Sequence, residues 1–244
     1  MFITIDSRRK VVVPGNASET VAYAAEHFIK CAKEAIQSHG NFFVALSGGS
    51  TPKQIFETLA LNYKDAIDWK KVFLFWSDER AVPPDHPDSN YKMAMDSGFS
   101  QLAIDPLHIF RMKGEGDLKA DAAEYETIIN KTLASRNFDL IMLGVGEDGH
   151  TASLFPGTKG LFITDKLVIA NEIPQKTTFR ITFTFPLINS AHNITFYAIG
   201  KGKQEILKKI LTTNSLPSSQ VGTNTHPALW IVDKEASSLL FNLN

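Results

Sequence analysis

The sequence predicts an α/β fold: a single-domain, doubly wound, largely parallel sheet with helices on both faces. Three short apolar segments, at residues 42–46, 72–76 and 138–143, have the pattern of strands buried on both faces. Each runs into a polar segment, and stretches of helical periodicity lie between them. Because ligands of parallel sheets bind beyond the carboxyl ends of the strands, the polar segments are expected to form one composite site. The predicted arrangement is Rossmann-like.

The first elements are a helix, a strand and a second helix. Apolar residues recur at helical spacing over 18–38, and Gly40 is a suitable terminator. The strand at 42–46 leads into Ser-Gly-Gly-Ser-Thr-Pro, in which Pro52 suits the first turn of a helix. Ser50 or Thr51 is expected to cap that helix.

The later elements repeat this alternation. The pattern predicts a helix at 117–133, and a further strand and helix at 194–199 and 203–211. No fixed repeat, low-complexity tract or linker interrupts the chain. One domain is therefore expected over residues 1–244.

The composition excludes several classes of partner. Charged residues make up 21% of the chain and leave a formal net charge of −1, so no broad basic field is available for nucleic acid or an anionic membrane. No apolar stretch approaches the roughly 20 residues of a membrane span, and the first residues lack the features of a signal peptide. The single cysteine, Cys31, fits a reducing compartment. We expect a cytoplasmic protein whose oligomeric state the sequence leaves open, a monomer being compatible with it.

The segment from Ser47 through Gly48 and Gly49 to Ser50 and Thr51 is a candidate anion site. Backbone N–H groups, hydroxyls and the positive end of a helix suit a phosphate. The alternative is a tight turn whose hydroxyls merely cap the helix. The sequence leaves both open, but no Gly-Lys-Ser/Thr follows, so the segment is not a P-loop.

Three cations are expected near the strand ends. Arg80 follows Asp78 and Glu79 directly after a buried strand, and its planar guanidinium suits a phosphate or a developing oxyanion. The alternative is a surface ion-pair cluster. Arg180 and Lys203 would singly be solvated charges, but together with Arg80 they could balance a phosphate dianion.

The segment 144–150 formally matches Gly-x-Gly-x-x-Gly, which raises a dinucleotide-binding oxidoreductase as an alternative. The match is weak because Pro156 and Gly157 follow after one or two turns, where a long helix is needed. The segment does place Asp148 two residues before His150, a proton acceptor near neutral pH. Histidine spacing predicts no metal site, and no Gly-x-Ser-x-Gly nucleophile elbow is present.

Three ordered motifs resemble the 6-phosphogluconolactonase family. They are Ala-Leu-Ser-Gly-Gly-Ser-Thr-Pro at 45–52, Trp-Ser-Asp-Glu-Arg-Ala-Val-Pro at 76–83 with His-Pro-Asp-Ser-Asn at 86–90, and Gly-Val-Gly-Glu-Asp-Gly-His-Thr-Ala-Ser-Leu-Phe-Pro-Gly at 144–157. Shorter segments at 180–182, 200–203 and 227–233 are also similar to family positions. The resemblance spans nearly everything after residue 42.

The resemblance implies hydrolysis of 6-phospho-D-glucono-1,5-lactone, a phosphorylated sugar lactone, without a cofactor. It implies that His150 is the general base, that Asp148 orients it, and that Arg80 or nearby N–H groups stabilise the oxyanion. The implied substrate-binding residues are Ser47, Gly48, Gly49, Ser50, Thr51, Asp78, Gly146, Arg180 and Lys203.

Two other functions stay open. Glucosamine-6-phosphate deaminases share two of the motifs, but they resemble Asp-Glu-Tyr where this chain has Arg80, and they carry an acid where it has Phe155. Because phenylalanine cannot transfer protons, the sequence disfavours deaminase activity. A sugar-phosphate sensor without turnover is the alternative from a different class.

Overall fold

Two sheets organise the protein, as seen in a computed structural model that describes residues 1–240. The strands are β1 (Phe2–Thr4), β2 (Arg9–Val12), β3 (Phe42–Leu46), β4 (Val72–Trp76), β5 (Asp78–Arg80), β6 (Leu140–Leu143), β7 (Val168–Ile173), β8 (Thr178–Phe183), β9 (Asn193–Ala198) and β10 (Ala228–Val232). The larger sheet has the order β1-β2-β10-β9-β6-β3-β4 and is parallel except where β1 pairs with β2. The smaller, antiparallel sheet has the order β5-β8-β7.

Six α-helices lie in the described residues: α1 (Ala17–His39), α2 (Ser50–Asn62), α3 (Asn90–Asp96), α4 (Leu118–Leu133), α5 (Phe185–Ser190) and α6 (Gln204–Thr212). In α1, the side chain of Asn16 accepts from the N–H of Glu19 and the Glu19 carboxylate accepts in return, which satisfies two N–H groups at the helix start. Gly40 ends the helix in the left-handed conformation, with φ of 92°. None of these helices is long and apolar enough to cross a membrane.

The large sheet is buried on both faces. Because side chains alternate along a strand, Phe43 and Ala45 of β3 belong to the core under α4 and α6, and Phe42, Val44 and Leu46 to the core under α1 and α2. Burial on both sides explains why β3 and its neighbours are continuously apolar.

The small sheet continues the chain beyond the carboxyl end of β4. Ser77 connects the two sheets: its N–H donates to the Leu46 carbonyl at 2.8 Å, and its own carbonyl accepts from the N–H of Phe183 at 2.9 Å. The small sheet therefore lies at the edge where ligands of a parallel sheet bind.

The sequence-based fold class is confirmed, with two corrections. Asp78, Glu79 and Arg80 form a strand of the small sheet rather than a loop, and Arg180 lies within β8 rather than near a strand end. Apolar runs and periodicity do not reveal β5, because this strand is three residues long and polar and its partner β8 lies about a hundred residues later in the chain.

Candidate active site

The loops after three adjacent strands meet at one edge of the large sheet. Gly144, which follows β6, faces the loop after β3: a Cβ at this position would lie 3.7 Å from the Ser47 hydroxyl oxygen. Lys203, just before α6, donates from Nζ to the Val145 carbonyl at 2.8 Å. The tertiary structure thus brings the predicted anion loop, the histidine loop and one of the predicted cations together.

His150 and Asp148 form a bonded pair in the loop after β6. Asp148 Oδ1 lies 2.5 Å from His150 Nδ1 and also accepts from the His150 backbone N–H at 3.1 Å. Burial alone would raise the pKa of Asp148, but the hydrogen bonds from His150 outweigh it and the pKa is lowered. Because an ionised carboxylate only accepts, Nδ1 carries the proton and Nε2 carries the lone pair.

Burial also sets the protonation state of His150. Its side chain is 22% exposed, and desolvation of the imidazolium lowers its pKa below the usual value for histidine. Asp148 and Asp78 oppose this shift, and Lys176 adds to it. The ring is therefore neutral near pH 7, which is the form that a general base needs.

Gly146 leaves the space that the His150 ring occupies. A Cβ at Gly146 would lie 2.0 Å from His150 Nδ1 and 2.8 Å from Asp148 Oδ1. The turn is closed by backbone bonds from the Gly146 N–H to the His150 carbonyl and from the Gly149 N–H to the Gly146 carbonyl, both at 3.0 Å. Gly146 thus makes room for the His150–Asp148 pair; its expected contact with substrate stays a prediction.

One face of the small sheet binds the segment after His150 through Ser153. The Ser153 hydroxyl donates to Asp78 Oδ2 at 2.6 Å, its N–H donates to the Thr182 hydroxyl at 3.0 Å, and its carbonyl accepts from Asn171 Nδ2 at 2.8 Å. Ser153 and Thr182 are fully buried. Thr182 lies in the family-like segment 180–182, whereas the sequence contains no motif that singles out Asn171.

Asp78, which is expected to bind substrate, is bonded to two neighbouring side chains. Its carboxylate is buried and accepts from Ser153 and, at 3.3 Å, from Asn90 Nδ2. Each oxygen thus accepts one hydrogen bond from the protein, which fixes the carboxylate in place. Contact of Asp78 with substrate stays a prediction. Gly48 packs against the Asn90 side chain, which a Cβ at position 48 would overlap.

Within residues 1–240, the Glu79 carboxylate bonds to backbone N–H groups and a hydroxyl, and not to the Arg80 guanidinium. This buried carboxylate accepts from the backbone N–H groups of Arg80, Asn90 and Tyr91 and from the Ser89 hydroxyl, at 2.7–3.1 Å. Burial raises the pKa of Glu79 although these bonds oppose the shift. The carboxylate therefore anchors the start of α3 beneath the site.

Arg80 and Arg180 are paired directly across β5 and β8. Paired residues of antiparallel strands project from the same face, so two permanent cations lie side by side. Arg80 Nη1 donates to the Asp88 carbonyl at 2.8 Å, while its Nε is buried without a partner in residues 1–240. Arg180 Nη1 lies 3.4 Å from the Ser153 hydroxyl and 4.0 Å from Asp78 Oδ2. Because like charges repel, this pairing is suited to an anion shared between them.

The anion loop differs from expectation in its cap. Helix α2 begins at Ser50, so Ser50 and Thr51 lie inside it, and Gly49 is the N-cap residue with φ of 108°. No side chain caps the helix start. The first N–H groups are therefore available to a ligand, as an anion site requires.

One sizeable cleft lies away from this chemistry. A cleft of about 990 Å³ lies between α4 and β7 and contains none of the predicted site residues. We place the candidate site at the sheet edge, because the His150–Asp148 pair and the predicted cations lie there. Within residues 1–240, no three His, Cys, Asp or Glu side chains come together as a metal site; metal-free chemistry stays a prediction.

Comparisons with known proteins identify the family. The model of the glucosamine-6-phosphate isomerases/6-phosphogluconolactonase family matches residues 15–230. A 6-phosphogluconolactonase of Chlamydia muridarum is 39% identical, over 96% of this chain and 91% of the relative. A 6-phosphogluconolactonase structure from Trypanosoma cruzi has a TM-score of 0.86 at 25% identity, over 96% of this chain and 98% of that one.

The fold alone does not separate the two activities named in the family. A monomeric glucosamine-6-phosphate deaminase has a TM-score of 0.78 at 24% identity, over 94% of this chain and 99% of that one. Lactonase and deaminase activity must therefore be distinguished by the residues of the site. The family model and the chlamydial relative together show that this chain belongs to the glucosamine-6-phosphate isomerase/6-phosphogluconolactonase family.

Proposed function

We propose that this chain is a carboxylic ester hydrolase that converts 6-phospho-D-glucono-1,5-lactone to 6-phospho-D-gluconate in the oxidative pentose phosphate pathway. The observation that carries the proposal is the bonded His150–Asp148 pair, whose imidazole stacks on Phe155 and not on an acid, with Arg180 5.4 Å from the Phe155 ring. The 39% identical relative bears the name of this activity.

The chemistry follows from the state of the base. Nε2 of His150 takes a proton from water, and the resulting hydroxide attacks the lactone carbonyl carbon. As the tetrahedral oxyanion collapses, the bond to the ring oxygen breaks and the imidazolium returns the proton to that oxygen. Asp148 stabilises the imidazolium that forms between these steps.

The anionic end of the substrate is assigned to the cations and the free helix start. The N–H groups at the start of α2, Arg180 and Lys203 bind the 6-phosphate. Arg80 is the candidate for either phosphate or oxyanion. Its pairing opposite Arg180 favours the phosphate, so Arg80→Lys is expected to raise KM and leave kcat within a few-fold of wild type. A fall in kcat at unchanged KM would assign Arg80 to the oxyanion instead.

The proposal extends to the setting in which the chain acts. Residues 1–244 would act as one domain, without cofactor, in the cytoplasm. The support is the near-neutral net charge and the buried free thiol of Cys31, which is typical of a reducing compartment.

The decisive experiment measures acid release from freshly made 6-phosphoglucono-δ-lactone at neutral pH, with spontaneous hydrolysis subtracted. Folded wild type and His150→Ala are compared side by side. Fast turnover by wild type that is lost in the variant is the expected result. Equal rates in both would remove His150 as the base. Wild type no faster than buffer would refute the lactonase, and release of ammonia from glucosamine 6-phosphate would then support the deaminase.

A further inference from the structure

Phe155 is in contact with the base and with two cations at once. Its ring stacks on the His150 imidazole, with the centroids 3.8 Å apart and the planes inclined by 14°. The same ring lies 5.2 Å from Lys176 Nζ and 5.4 Å from Arg180 Cζ. Phe155 is 1% exposed, so the small sheet and the histidine loop meet on a rigid, buried aromatic surface.

Two independent contacts therefore define the orientation of His150. The bond to Asp148 fixes Nδ1 but still allows the imidazole plane to rotate about the line between the two atoms. Stacking on Phe155 removes that freedom, because a rotated ring would lose its parallel contact. A base must reach its water within about 3 Å, so orientation of the plane decides where Nε2 points.

Phe155 also influences the protonation state of the His150 imidazole. The buried Phe155 ring covers one face of the imidazole and keeps water from it, while Lys176 and Arg180 lie near the same ring. An imidazolium there would lose hydration and lie close to two other cations, and both effects oppose protonation. The charged groups that surround His150 and its stacking partner are Asp148 on the histidine loop, Asp78 on β5, Lys176 in the turn between β7 and β8, and Arg180 on β8. The carboxylates favour the imidazolium, and the cations favour the neutral ring.

We propose that Phe155 is a positioning residue for the hydrolysis: it fixes the imidazole plane of His150 and, with Lys176, favours the neutral form of the base. This inference rests on the proposed function, in which His150 is the general base. It adds a residue that has no proton-transfer chemistry of its own.

The first test is Phe155→Leu, which keeps an apolar side chain but removes the stacking surface. We expect kcat to fall by between about tenfold and a hundredfold with KM within about threefold, since small misplacements of a catalytic group cost rates of this order. Water that reaches the imidazole would raise its pKa, so the rising limb of kcat against pH moves to higher pH. Profiles are kept at or below neutral pH, where spontaneous lactone hydrolysis is slow.

Phe99→Leu is the matched control. Phe99 is also 1% exposed, but it packs in the core under α1 and α2, where its ring is 5.0 Å from that of Phe56. This substitution removes the same atoms from a buried site and is expected to lower stability without moving the pH profile. If Phe155→Leu behaves like Phe99→Leu in kcat and in pH profile, the positioning role is refuted.

A second variant avoids the risk of misfolding. Lys176 is exposed, so Lys176→Gln should fold as wild type does, and loss of its charge should raise the pKa of His150 and move the profile to higher pH. An unmoved profile would overturn the part of the proposal that concerns charge.

A measurement without substrate separates this inference from the function. NMR titration of the His150 ring, assigned by its absence in His150→Ala, should give a higher pKa in Phe155→Leu and in Lys176→Gln than in wild type. An unchanged titration in both would overturn the inference even in an active lactonase. A shifted titration in a protein without lactonase activity would refute the proposed function and leave the contact intact.

Discussion

Replacing Asp148 by Asn tests how the catalytic pair works. The substitution keeps the size of the side chain and removes the charge that faces the imidazolium as it forms. Two unit charges about 4 Å apart interact by about 4 kcal/mol at an effective dielectric constant of about 20. Because the Asp148 side chain is 47% exposed, we discount this to about 2 kcal/mol for solvent screening. That loss corresponds to about a 30-fold fall in kcat.

The pH profile of Asp148→Asn gives an independent check on the direction in which Asp148 shifts the pKa of His150. Asp148 raises the pKa of His150, so removing its charge lowers that pKa and moves the rising limb of kcat to lower pH. The plateau should fall although more of the base is neutral, because the lost energy is that of the imidazolium in the transition state. The assay is initial-rate acid release between about pH 5 and 7.

Glu147→Gln is the control for Asp148→Asn. Glu147 is an exposed carboxylate in the same loop, and its neutralisation changes the net charge equally without touching the bond to Nδ1. Its kcat should stay within about twofold of wild type. The reasoning is refuted if Asp148→Asn keeps the wild-type plateau, or if its rising limb moves to higher pH.

Two further substitutions test the groups that shape the site. Gly146→Ala places a Cβ 2.0 Å from His150 Nδ1, so the imidazole must move and kcat should fall by about a hundredfold. Thermal unfolding should show that the variant is folded. Activity within threefold of wild type would show that the imidazole need not lie in this position. Ser153→Ala removes the 2.6 Å bond to the buried Asp78 carboxylate, and should lower the free energy of unfolding in urea by about 1–3 kcal/mol. An unchanged urea midpoint and slope would contradict the anchoring role of Ser153.

Short-range patterns were sufficient to predict much of this fold and part of its site. The buried strand β3 and helices α1 and α4 were found from their periodicity, because burial on two faces or along one stripe leaves a repeat in the sequence. The predicted N-cap of α2 was wrong, because Gly49 is the N-cap residue and Ser50 lies inside the helix. The catalytic and binding roles of the site residues remain predictions.

The sequence by itself determined the class of fold, the loop that carries His150 and Asp148, and the three motifs of the family. Only the tertiary structure decided that Arg80 faces Arg180, that Asp78 is engaged by Ser153, and that Phe155 lies against the base. The reason is physical: hydrophobic periodicity and turn chemistry act over a few residues. The pairing of β5 with β8 instead joins residues about a hundred positions apart, and the contacts of Arg80 and Asp78 across the sheet exist only after that pairing has formed.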